Sequence, residues 1–61
     1  MNELTEVTEI TDVLPGMKVY RNNRYMGRLI CCREGLVQIF NLSGGISFDR
    51  FENVIIKREV V

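Results

Sequence analysis

Histidine is absent from this chain, and cysteine occurs only as the adjacent pair Cys31-Cys32. On an extended strand neighbouring side chains point to opposite faces, so a disulfide between these two would be strained, and both read as reduced packing residues. With no histidine and no second cysteine pair, the ligand set of a zinc site is missing for a monomer. General acid-base chemistry loses its commonest side chain as well. Asp49 and Glu52 share a turn, but no histidine or activated nucleophile accompanies them. Ser43-Gly44-Gly45 is not followed by Gly-Lys-Ser/Thr, so it is no phosphate-binding loop. The expectation is a protein that is not an enzyme and carries no cofactor. A thiol-based role for Cys31 or Cys32, with Arg28 or Arg33 lowering the pKa, is the minor alternative.

A long apolar run is also missing, which excludes a membrane-spanning helix, and the first residues lack the basic start and apolar core of a secretory leader. A soluble cytoplasmic protein is expected. Net charge is missing too, at zero, which argues against a strongly basic nucleic-acid-binding protein. The zero hides a segregation. Glu3, Glu6, Glu9 and Asp12 are unopposed by any cation in the first fifteen residues, whereas Lys18, Arg21, Arg24, Arg28 and Arg33 are unopposed by any acid over residues 16–33. Such blocks suit two interaction surfaces, or an acidic arm lying on a basic face.

What is present is a single small domain. A chain of 61 residues buries only about 60% of the surface its unfolded form exposes, so a closed sheet, a dimer or a bound partner would each help to stabilise it. The 46% hydrophobic content fits a folded domain and not a disordered tail.

Residues 4–12 read Leu-Thr-Glu, Val-Thr-Glu, Ile-Thr-Asp. A period of three matches neither the strand nor the helix repeat, and an extended edge, a short helix and disorder all remain open. Thr11 or Asp12 can cap a single helical turn, and Leu14 is expected to plug the bottom of the core ahead of Pro15-Gly16. Strands are expected at residues 17–21, 25–33, 36–41, 46–48 and 54–58. Asn22-Asn23, Glu34-Gly35 and Gly44-Gly45 supply the positive-φ residues of tight turns. Gly27 suggests a bulge or bend in the second strand. Val19, Leu29, Val37, Ile39, Ile46, Phe48 and Ile56 are expected inward, with a 3₁₀ turn around residues 49–53 that pins Phe51 to the core.

The lead-in Leu14-Pro15-Gly16-Met17-Lys18-Val19, the pair Gly27 and Leu29, the pair Val37 and Ile39, and the turn Asp49-Arg50-Phe51-Glu52-Asn53-Val54 together resemble the SH3-like small barrels of the KOW and Tudor-like group. The resemblance covers residues 14–58. It implies an all-β fold: a small five-stranded antiparallel SH3-like barrel (residues 14–61) with a 3₁₀ turn before its last strand, preceded by an acidic N-terminal arm (residues 1–13). It also implies an adaptor, not a catalyst.

Lys18, Tyr20, Arg21, Arg24, Tyr25, Arg28 and Arg33 interleave cations with rings. Arginine pairs bidentately with phosphate or carboxylate, and tyrosine offers a stacking surface. These seven are the candidate binding residues of a non-catalytic module for nucleic acid or an acidic protein surface. In a plainer reading, the tyrosines cover the barrel ends and the arginines keep it soluble. The alternative function is a structural or regulatory protein–protein component, homodimeric through an arm that adds to a neighbour's sheet edge or docks on its surface.

Overall fold

A computed structural model describes residues 3–60. In chain order they form β1 (Glu3–Val7), a 3₁₀ turn (Ile10–Asp12), β2 (Lys18–Arg21), β3 (Arg24–Arg33), β4 (Leu36–Asn41), β5 (Ile46–Arg50), a second 3₁₀ turn (Phe51–Asn53) and β6 (Ile55–Val60). Every strand joins one antiparallel sheet in the order β1-β6-β2-β3-β4-β5. Met1, Asn2 and Val61, the ends of the expected arm and barrel, lie outside the described residues.

The expected five-stranded closed barrel is corrected on both counts. The arm supplies a sixth strand, with Val7 buried opposite Ile56 and Leu4 opposite Glu59. Of the three conformations open for residues 4–12, the extended edge is adopted through Val7, and Ile10–Asp12 form a single 3₁₀ turn. Among the described residues no ladder joins β1 to β5, so the sheet stays open. β6 has two edges; β2 occupies one and β1 the other. The edge on which β5 could have closed a barrel is already paired. The sheet nevertheless rolls far enough for Arg21 at the end of β2 to bond Asp49 on β5 at 2.6 Å, although two strands separate them in the sheet order.

Turn chemistry determines the hairpins. Asn22 and Asn23 (φ 52° and 63°) and Glu34 and Gly35 (φ 51° and 77°) take the paired positive φ of two-residue hairpin turns. Asn41 organises the third reversal: its Oδ1 accepts the N–H groups of Ser43 and Gly45, and its Nδ2 donates to Ser47 Oγ. Gly27 faces Val19 at φ 138°, and a Cβ there would overlap the Phe40 carbonyl oxygen. Two register shifts bend β3, one near Met26 against β2 and one near Ile30 against β4. The second explains why apolar residues on both phases of β3 look buried in sequence.

Val7, Val19, Leu29, Val37, Ile39 and Ile56 form the core, with Val13, Met17, Met26, Cys32, Phe51 and Val54 packed around it. The expected inward positions of Ile46 and Phe48 are wrong: they are 59% and 57% exposed. β5 pairs with Ser47 opposite Ile39 and Asp49 opposite Val37, so the polar pair takes the core side, where Asn41 and Arg21 satisfy it. Leu14 does not plug the core either, at 61% exposure. It opens a turn that the Met17 N–H closes onto the Leu14 carbonyl, and Met17 goes inward in its place. The first 3₁₀ turn starts after Glu9 and has no side-chain cap, in contrast to the cap expected from Thr11 or Asp12.

Candidate binding face

Alternation about Val19, Leu29, Ile39 and Ile56 determines what the other face of the sheet carries. One cross-strand row runs over all six strands: Glu6, Lys57, Lys18, Arg28, Phe40 and Ile46. Toward β6 its cations have local partners. Lys18 Nζ lies 3.2 Å from Glu59, Arg28 Nη1 donates to the Gly16 carbonyl at 3.0 Å, and Lys57 Nζ sits 4.9 Å above the Tyr20 ring. Tyr20 in turn meets Tyr25 across the hairpin, ring centroids 5.4 Å apart and tilted by 53°.

The sheet therefore brings four of the seven expected residues together on one face: Lys18, Tyr20, Tyr25 and Arg28. Arg24 stands beside the Asn22-Asn23 turn, opposite Arg21. Arg33 shares the face but sits at the far end of β3, about 15 Å from Arg28 along the strand. Arg21 has the opposite phase, and its guanidinium is held by Asp49. Burial would by itself raise the Asp49 pKa. The Arg50 amide, the Arg21 guanidinium and the Asn53 side chain outweigh it and hold the carboxyl below its ordinary value of 3.8. Asp49 thus joins β2 to β5 through the Arg21 guanidinium.

Toward β5 the same face changes character. Three rows of three residues cross β3, β4 and β5: Arg28-Phe40-Ile46, Cys31-Gln38-Phe48 and Arg33-Leu36-Arg50. Phe40, Ile46, Phe48 and Leu36 expose roughly 400 Å² of apolar surface, within the range of the largest, often functional, patch on a monomer. Three arginines stand at the corners, and none of the nine residues is acidic. Arg33 and Arg50 form no side-chain hydrogen bond or ion pair among the described residues. Leu36, Phe40, Ile46, Phe48, Arg50 and Lys57 are absent from the sequence-derived set. Arg50 shares the phase of Ile46 and Phe48, and the expectation that this phase faces the core hides it.

The Cys31 thiol on this face donates to Gln38 Oε1 at 3.4 Å. Cys32 turns toward the core, and burial, with Cys31 adding to it, pushes its thiol pKa above the ordinary value. That is the opposite of what a reactive thiolate needs. No group of three or more His, Cys, Asp or Glu residues that could hold a metal ion occurs among the described residues, nor does any helix long and apolar enough to cross a membrane. A separate cleft of about 480 Å³ is lined by residues including Thr5, Thr8, Thr11 and Arg58, and none of the seven expected residues lines it.

In comparisons with known proteins the chain matches no family model, no curated protein and no solved structure. The reading of its function rests on the geometry of this face.

Proposed function

We propose that the protein is a non-catalytic binding module that takes an acidic, partly apolar protein segment onto the outer face of β3, β4 and β5. One observation carries this: an exposed apolar centre formed by Phe40, Ile46, Phe48 and Leu36, with arginines at its corners and no acid within it. Apolar contact supplies affinity at such a face, and the arginines select for carboxylates and steer encounter. The likeness of residues 14–58 to SH3-like barrels of the KOW and Tudor-like group supports an adaptor role. It is carried by the order β6-β2-β3-β4-β5 and by the 3₁₀ turn between β5 and β6.

A second reading, single-stranded nucleic acid, is favoured by the Tyr20-Tyr25 ring pair beside Lys57, Lys18 and Arg28. It ranks lower because Glu59 and Glu6 flank those cations and the chain is neutral overall. Fluorescence anisotropy with a labelled Leu/Glu-alternating peptide and a labelled single-stranded oligonucleotide separates the two. Peptide binding that is lost in the Arg33→Glu, Arg50→Glu variant supports the protein reading. Oligonucleotide binding with a log–log salt slope near about −2, as expected for three phosphate contacts, and with no peptide binding, would replace it.

A further inference from the structure

The sheet has two unpaired edges among the described residues, β1 and β5, and they differ in charge. β5 itself carries Arg50, and Arg33 and Arg28 stand on β3, across β4 on the same face, around exposed apolar side chains. Along β1 and the turn after it stand Glu3, Glu6, Glu9 and Asp12, all exposed, with Leu4 and Ile10 at 40% and 42% exposure. The β1 edge thus has the chemistry that the β5 face is proposed to recognise: extended, acidic and partly apolar. The apolar-Thr-acidic triplets, which pair β1 with β6 and bury Val7, acquire a further use in this way.

Backbone geometry points the same way. Gly45 and Phe51 bond into the β3–β4 hairpin, through Asn41 and Gly35. By the alternation of an antiparallel ladder, the peptide groups of Ile46, Phe48 and Arg50 then face away from β4. The Asp49 carboxylate satisfies the Arg50 N–H. The rungs at Ile46 and Phe48 are left open, beside the two side chains that stand exposed. An extended strand added there would gain main-chain hydrogen bonds together with apolar contact. The apolar patch alone exposes roughly 400 Å², about half the per-partner area of a standard interface.

We infer that copies of this chain associate head to tail, the acidic β1 edge of one copy adding to the β5 edge and arginine-cornered face of the next. This rests on the proposed reading of that face and names its partner. Because the two surfaces differ, the contact is heterologous and leaves a free edge at each end, so assembly does not stop at a dimer. Charge pairing at exposed positions makes it weaker by roughly tenfold at high salt.

Sedimentation velocity over a concentration series tests this with two neutral knock-outs. One is Leu4→Ser with Glu6→Ser on the donor edge; the other is Phe48→Ser with Arg50→Ser on the acceptor face. All four residues are exposed, and circular dichroism checks that each variant folds; Arg33→Ser with Arg50→Ser replaces the acceptor variant if it does not. Wild-type chain is expected to pass beyond dimer mass as concentration rises. Each variant alone stays monomeric, and an equal mixture stops at a 1:1 pair of twice the 7.1 kDa chain mass. Self-association of the donor-edge variant alone would overturn the inference in favour of a face-to-face dimer. A wild-type chain that is monomeric throughout would also overturn it. If that monomer still binds the acidic peptide, only this inference falls; if it does not, the proposed function falls with it.

Discussion

Replacing Gly27 by alanine perturbs a point where the β3 backbone lies against that of β4 with no room for a side chain. Its φ of 138° is a conformation that L side chains rarely adopt, and the added Cβ would overlap the Phe40 carbonyl oxygen and sit 3.0 Å from Asn41 Cα. Both obstacles are backbone, so no side chain can swing aside. The conformational strain costs about 1–3 kcal/mol, and the forced separation of packed strands costs about 1–3 kcal/mol more. A domain of this length has roughly 3–9 kcal/mol in total, so about half or more of the stability is expected to go. Gly44→Ala is the control: its φ of 86° is also positive, but nothing lies within 4 Å, and its cost is limited to about 1–2 kcal/mol of backbone strain. Urea unfolding followed by tyrosine fluorescence measures both, as the chain has no tryptophan. A Gly27→Ala variant no less stable than Gly44→Ala would refute the reasoning. It would also undo the register that sets Arg28 beside Phe40.

Three further outcomes are expected. Ile39→Ala, at a fully buried site, lowers the unfolding free energy by about 2–5 kcal/mol, whereas Ile46→Ala on the outer face changes it by less than about 1 kcal/mol; equal losses would place Ile46 in the core. The Asp49 carboxyl has a depressed pKa when folded, so its contribution to stability is complete above the ordinary value of 3.8 and is lost as pH falls through the lower folded value. The stability gap between wild type and Asp49→Asn should therefore shrink on acidification, and a gap independent of pH in acid titrations would contradict the Arg21 clasp. In a Cys31→Ser variant, the remaining Cys32 thiol reacts with iodoacetamide more slowly when folded than when unfolded in urea; equal rates would show that burial does not raise its pKa.

Local chemistry is what the sequence makes legible. Asn22-Asn23 and Glu34-Gly35 force their turns through residues that tolerate positive φ, and once the turns are placed, alternation puts Val19, Leu29, Val37, Ile39 and Ile56 inward. The same alternation carries Lys18 and Tyr20 to one face, and the register shift near Met26 brings Tyr25 onto it beside Arg28. β5 was ambiguous for a physical reason: Ile46-Ser47-Phe48-Asp49-Arg50 has a charged residue on each phase, and hydrophobicity favours the wrong one. On the core side Asp49 meets Arg21, 28 positions away in the chain, and Ser47 meets Asn41, partners that local patterning does not reveal. Closure was equally hidden, because whether β6 offers its second edge to β5 or to β1 depends on a pairing across nearly the whole chain. The triplet arm gave no period from which that pairing could be read. The arginine-cornered face was missed as a consequence, since its apolar centre had been assigned to the core.

The outer face of β3, β4 and β5 as an acceptor for acidic segments is tested most directly by amide chemical-shift mapping with the Leu/Glu-alternating peptide. A chain carrying Leu4→Ser and Glu6→Ser keeps other copies from competing. Saturable shifts centred on Arg33, Leu36, Phe40, Ile46, Phe48 and Arg50 are predicted. Shifts confined to Lys18, Tyr20 and Tyr25, or no shifts at all, would contradict the account.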